Sequence, residues 1–258
     1  MKKQLFRACI ELHNHKVASA LLKKFSQSRM SKGLIPWYCR TYQVDVSEAK
    51  APIDDFDSLH HFFIRELKKG ARPIALGEDE MVAPVDGVCV EAGEMTPEMC
   101  FQVKGKQYAA EELLGGKDVA SQYERGQYVV LYLSPSHYHR IHSPVDATCV
   151  RERVLGGRSY PVNELGLKYG KRALSKNYRQ VLELLLPSQK KMALVNVGAT
   201  NVNSIIRTNK SDAWKKGEEV AYFSFGSTVI LIYEHGTVDI KVKNGDEVRM
   251  GEVIGALL

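Results

Sequence analysis

The 258-residue sequence has no run approaching the ~18 consecutive apolar residues that a membrane-spanning helix needs. It begins with Lys2 and Lys3, but Arg7, Glu11, His13 and His15 interrupt the next stretch, so no secretory signal is expected. Cysteine is scarce: Cys9, Cys39, Cys89, Cys100 and Cys149 form an odd set with no CxxC pair. That pattern excludes a disulfide framework and a zinc-knuckle spacing, and it implies a reducing compartment. An excess of one charge is nearly absent too. The 36 basic and 30 acidic side chains leave a net charge of +6, enough only for a mild preference for anionic surfaces. No nucleic-acid partner is expected. After residue 80 there is neither a repeat nor a low-complexity tract nor a linker.

What is present divides into two textures. Residues 4–25 carry Leu5, Cys9, Leu12, Val17, Leu21 and Phe25 at helical spacing among Lys and Arg, with a break expected near Asn14. This helix either packs on its own domain or lies in a membrane interface. A second helix is predicted from Ser58 to Lys69, with Asp57 or Ser58 as its cap. From residue 81 the chain turns to short strands punctuated by Gly and Pro. Residues 81–90 read as a strand, an Asp-Gly turn and a strand, and 101–108 as a hairpin; 109–114 fit a helical turn. Residues 128–133 and 194–200 are buried-strand candidates. The expected fold is α+β: N-terminal helices over 1–80, then a compact, mainly antiparallel β core over 81–258.

Within that core, the run Tyr222–Ile232 is mostly aromatic and aliphatic, and the small pair Gly226-Ser227 sits inside it. An interior Gly marks a bulge, a bend or a close backbone approach. The Ser beside it is either a turn hydroxyl or a nucleophile. The densest ionisable cluster is Ser134–Pro144, with His137, His139 and His142 just after a hydrophobic strand. Such a group suits proton exchange near neutral pH. His137 and His139 would share a face in an extended segment, but no complementary ligand set appears, and no metal is expected. Asp86, in Pro84-Val85-Asp86-Gly87, is either a turn residue or the acid of an Asp86–histidine–Ser227 relay.

Together these segments resemble the phosphatidylserine decarboxylase family. The resemblance rests on Phe225-Gly226-Ser227-Thr228, on Pro84–Gly87 and on Tyr138–Pro144. Phe63-Ile64-Arg65, Tyr160–Asn163, Val197–Thr200 and Met250-Gly251-Glu252 extend it over roughly 55–258 in family order. The N-terminal part is similar to the shorter bacterial, Bacillus-like branch. Residues 174–179, Leu-Ser-Lys-Asn-Tyr-Arg, depart from the Arg-Asn-Glu-Arg run of other branches, so head-group contacts are not carried over from there.

The resemblance implies a self-processing enzyme. Ser227 would attack the Gly226 carbonyl, and the chain would part into a β chain, 1–226, and an α chain, 227–258, that stay together. His142 would be the base and Asp86 its orienting acid. Residue 227 would become a pyruvoyl group, the covalent cofactor, in place of pyridoxal phosphate. Its carbonyl would condense with the amine of phosphatidylserine and accept the electrons left by CO2. His139 is the expected proton donor, and phosphatidylethanolamine the product. A bilayer substrate implies a peripheral protein on the cytoplasmic face of the cell membrane; a homo-oligomer is left open. The alternatives are a same-family decarboxylase acting on a related amino-acid lipid or soluble amine, a serine hydrolase using Asp86, His142 and Ser227, and a carrier-like β module. The hydrolase lacks a G-x-S-x-G elbow, and the carrier lacks an attachment lysine motif.

Overall fold

The computed structural model describes residues 16–162, 167, 172–199, 205–224 and 227–258. The first half of the predicted 4–25 helix, and Asn163, Thr200, Phe225 and Gly226, lie outside the described residues. The N-terminal region holds α1 (Lys16–Gln27), α2 (Ile35–Tyr42) and α3 (Leu59–Phe63), with a 3-10 turn at Arg29–Leu34. Pro36 sits in the first turn of α2, where its missing N–H costs nothing. Ile35, Tyr38, Val44, Phe56, Phe62 and Phe63 gather into a small core of their own.

The Ser58 cap is where the sequence places it, its side chain accepting the His61 N–H at 3.1 Å. The helix it starts ends at Phe63, not at Lys69. Beyond it, Lys50 N donates to Glu66 O and Lys68 N to Glu48 O around an Ala49–Leu67 bridge. Pairing with 48–50 therefore takes the backbone groups that a longer helix would have used.

Strands follow in order: β1 (Glu80–Val82), β2 (Gly87–Glu94), β3 (Cys100–Val103), β4 (Lys106–Ala109), β5 (Gln127–Leu133) and β6 (Arg140–His142). Then come β7 (Ala147–Leu155), β8 (Arg179–Leu185), β9 (Lys191–Gly198), β10 (Ile205–Arg207) and β11 (Ala213–Trp214). The last are β12 (Glu219–Phe223), β13 (Ser227–Tyr233), β14 (Val238–Ile240), β15 (Glu247–Val248) and β16 (Val253–Leu257). Short helices α4 (Ala110–Leu114), α5 (Lys117–Ala120) and α6 (Ala173–Lys176) decorate this core.

An antiparallel sheet in the order β11-β7-β8-β9-β13-β5-β2-β15 is the frame of the molecule. Its middle strand, β13, is covered on both faces. Val229, Leu231 and Tyr233 point into one core with the sheets β10-β12-β6 and β1-β16-β14. Ile230 and Ile232 point into a second core with the β3-β4 hairpin, α4 and α5. Double burial is why Val229–Tyr233 of β13 reads as an unbroken apolar run instead of an alternating one. Each such side chain contributes about 1.5–3 kcal/mol relative to exposure.

One predicted hairpin does not form. β1 pairs with β16, whereas β2 pairs with β5 and β15, so Pro84–Asp86 is a crossing between two sheets. Gly87 permits the crossing to pass closely: a Cβ there would stand 2.8 Å from the Tyr132 carbonyl oxygen.

Candidate active site

Ser227 is the first residue of β13, opposite Leu133 of β5 and Gly198 of β9. It is 0% exposed, and its Oγ has no hydrogen-bond partner among the described residues. The chain that leaves β5 at Leu133 forms a tight turn: His137 N donates to Ser134 O, and Ser134 N donates to His137 Nδ1 at 3.1 Å. The turn returns as β6, and on the way the His139 carbonyl accepts the Phe223 N–H at 3.0 Å. The ends of 223–227 are therefore bracketed by His139 on one side and Leu133 on the other. This places the histidine cluster and Ser227 in one region of the fold.

His139 is 0% exposed, with its ring 3.9 Å from that of Phe63. Its Nδ1 lies 2.8 Å from the His137 carbonyl oxygen. A carbonyl only accepts, so Nδ1 carries the proton and Nε2 is a bare lone pair; that atom has no partner among the described residues. Burial, and after it the Arg65 and His137 charges, hold its pKa well below that of an ordinary histidine. His142 is oriented likewise, Nδ1–H donating to Gly217 O at 2.8 Å and Nε2 accepting from the Tyr138 hydroxyl at 3.2 Å. Burial lowers its pKa too, opposed by the Gly217 carbonyl and by the charges of Glu219 and Asp86.

The Asp86 carboxylate is held elsewhere than on an imidazole. Arg72 grips it with two nitrogens, Nε to Oδ1 at 2.8 Å and Nη2 to Oδ2 at 2.6 Å, and Met250 N donates to Oδ1. Arg72 Nη2 also reaches Glu48, at 2.9 Å. Asp86 thus stands close in the fold to His142, whose backbone N–H donates to Pro84 O, but the two side chains have separate hydrogen-bond partners. His137 shares a cleft of about 390 Å³ with Asp86 and Arg72. The Nδ1 atoms of His137 and His139 are each taken by backbone, and among the described residues no group of three or more His, Cys, Asp or Glu gathers to hold a metal.

Residues to which sequence reasoning assigned no role complete the site. Asn177 is fully buried; its amide donates to Tyr160 O and Gly198 O and accepts from Tyr160 N, at 2.7–2.8 Å. It therefore ties the Tyr160 segment to the residue directly across from Ser227. Arg179 spends its guanidinium on the carbonyls of Leu113, Ser175, Asn177 and Glu112, so it acts as a local brace. Arg72 and Asn177 carry no signal of their own in the sequence, because their roles come from backbone and side chains that they meet only in the fold.

No helix among the described residues is long and apolar enough to cross a membrane. The phosphatidylserine decarboxylase family profile matches residues 59–256. Similarity to curated relatives runs the full length. The chain is 46% identical to a phosphatidylserine decarboxylase proenzyme of Halalkalibacterium halodurans, with all of both chains covered. It is 44% identical to those of Bacillus cereus and Bacillus thuringiensis, over all of this chain and 99% of each relative. That family works with a pyruvoyl group, and on sequence and relatives alike this chain belongs to the phosphatidylserine decarboxylase family.

Proposed function

We propose that this protein matures by cutting itself before Ser227 and then decarboxylates phosphatidylserine to phosphatidylethanolamine. The observation that carries the reading is the Ser227 hydroxyl: buried, unpartnered among the described residues, and placed directly after Gly226 within the family's ordered motifs. In the first step the Oγ–H proton passes to His142, and Oγ bonds to the Gly226 carbonyl carbon. The amide C–N bond breaks, the freed amine takes the proton, and an ester joins the two parts. Loss of the Cα proton with cleavage of the Cβ–O bond releases Gly226 as a carboxylate. The dehydroalanine left behind tautomerises and takes up water, ammonia departs, and residue 227 ends as the pyruvoyl group. His142, kept neutral by burial, is suited to accept the proton, and the Asp86 charge favours the imidazolium that results.

The site fits the group that would form. Residue 227 is small and enclosed, and the ladders to β5 and β9 hold β13 on both sides after the preceding bond is gone. The two chains, 1–226 and 227–258, accordingly stay together. Once formed, the pyruvoyl group supplies an electron sink for the bond that loses CO2. His139 handles the proton. Its bare Nε2 takes a proton from the incoming substrate ammonium and returns it to the carbon that CO2 leaves.

The lipid reaches this site from a bilayer that the N-terminal region meets. Leu21, Leu22, Phe25, Met30 and Trp37 are exposed there, Met30 at 81% and Trp37 at 53%, among Lys24, Arg29, Lys32 and Arg40. Apolar side chains set among cations suit the face of an anionic membrane, such as the cytoplasmic leaflet. Intact-mass measurement of the purified protein under denaturing conditions tests the central step. Two chains divided before residue 227, the smaller with a blocked N-terminus, are expected. One uncut chain that still turned over phosphatidylserine would overturn the mechanism.

A further inference from the structure

Arg65, just past α3, is a buried cation without a role in the chemistry above. It is 4% exposed. Its Nη2 donates to the Ser136 carbonyl at 3.0 Å and to the His137 carbonyl at 3.4 Å, while Nε and Nη1 find no partner among the described residues. Holding a guanidinium in this state is expensive, and such an arrangement persists where the surroundings require it. The His137 carbonyl is the point of interest, because the same oxygen takes the His139 Nδ1–H. A carbonyl has two lone pairs and can serve both donors. Two further contacts converge on this turn. The Tyr38 hydroxyl donates to Pro135 O at 2.7 Å, so three consecutive carbonyls, 135–137, are captured by the N-terminal region. Phe62 lies under the Arg65 guanidinium at 5.2 Å, and its neighbour Phe63 lies against the His139 ring.

We propose that Arg65 is a positioning residue for proton transfer at His139: by gripping the Ser136 and His137 carbonyls it fixes the acceptor that keeps Nδ1 protonated and Nε2 bare. The inference rests on the assignment of His139 made above. Charge works in the same direction as geometry. The charged or titratable groups that bear on His139 are Arg65, from the segment after α3, and His137, from its own turn. The other packed elements present the Phe63 ring and the Phe223 N–H. A fixed cation beside the ring disfavours the imidazolium, so removing it raises the His139 pKa toward the ordinary value.

The test uses the full-length Ser227→Ala chain, which stays uncut, with 15N-labelled histidine followed by NMR; His139→Gln in that background identifies the signal. The expected result is a His139 ring in the Nδ1–H form that remains neutral well below pH 6.5. Adding Arg65→Gln should raise the midpoint by about one pH unit and mix in the other tautomer. Arg65→Lys, which keeps the charge but not the fork, should keep the low midpoint. An unchanged midpoint and tautomer in Arg65→Gln would overturn the proposal. Should the Gln variant not fold, the Lys variant decides in the mature enzyme: normal self-cleavage with decarboxylation at least about tenfold slower is expected, and parental turnover would overturn it. The underlying assignment is tested apart from this. If mature His139→Gln decarboxylates at the parental rate, the His139 role fails, whatever the NMR says of Arg65.

Discussion

Ser227 and His139 share one condition: each is fully enclosed and each leaves a polar atom unpaired among the described residues. An unmet buried group costs about 1–3 kcal/mol, and these two are the ones to which the proposed reaction gives work. Replacing Ser227 by Ala should leave a single uncut chain in denaturing electrophoresis. His142→Ala should slow self-cleavage by about 10²-fold or more, the usual worth of a positioned base; a parental rate would remove it from that role. His139→Ala should cut normally yet lose about 10²-fold or more in decarboxylation. The same two histidines set a pH dependence. Their folded pKa values are depressed, so between those values and about 6.5 the unfolded chain binds protons that the folded chain does not. Stability is therefore full above that window and falls as the pH drops through it, by up to about 1.4 kcal/mol per pH unit for each histidine. Chemical denaturation of the uncut Ser227→Ala chain at pH 7.5 and pH 5.5 checks the sign. Equal midpoints would contradict it.

Among the elements, the apolar stretches of β13 and β5 were legible from sequence because a doubly covered strand is largely apolar, but the run Tyr222–Ile232 proved to span β12 and β13, which belong to different sheets. Helix α3 was legible at its cap and not at its end, since the Glu48 and Lys50 backbone that ends it lies far back in the chain. The 81–90 segment had the composition of a hairpin, but the partners of β1 and β2 come from β16, β15 and β5. Local turn chemistry cannot report which sheet a strand joins. Asn177 shows the same limit at the site. Through one amide it links the Tyr160 segment to the end of β9. Asn177→Ala leaves the Tyr160 N–H and the Tyr160 and Gly198 carbonyls short of partners. The expected loss is about 2–4 kcal/mol in denaturation, together with slower self-cleavage from the displaced strand end opposite Ser227. A variant with parental stability and cleavage would reduce Asn177 to filler.

Over the whole molecule, the N-terminal region has two faces of use. One carries Tyr38 and Arg65 onto the histidine turn, and the other exposes Met30 and Trp37. The exposed apolar face proposed to meet the membrane and the residues that hold the histidine turn thereby belong to one N-terminal region, which shares the small core of Ile35, Tyr38, Val44, Phe56, Phe62 and Phe63. Met30→Glu with Trp37→Glu should weaken binding to vesicles containing phosphatidylserine by about tenfold or more, through lost apolar contact and added repulsion. Turnover of a short-chain, water-soluble substrate should be retained. Sedimentation with vesicles measures the first and product assay the second; unchanged vesicle binding would move the docking surface elsewhere.

By itself the sequence determined the class of fold, an α+β chain with antiparallel β core, and the order of motifs that places it in its family. Those properties follow from local composition and spacing, which each segment carries within itself. Tertiary structure alone decided which groups touch. Asp86 is visible as a turn acid, but its clamp by Arg72 depends on a sheet crossing at 84–86 and a strand pairing at 66–68. His139 and His142 are visible as a pair, while their tautomers depend on carbonyls of His137 and Gly217 that only the folded chain aims at them. Direction and burial belong to the packed state, where a hydrogen bond between distant residues is chosen by everything that holds their backbones in place.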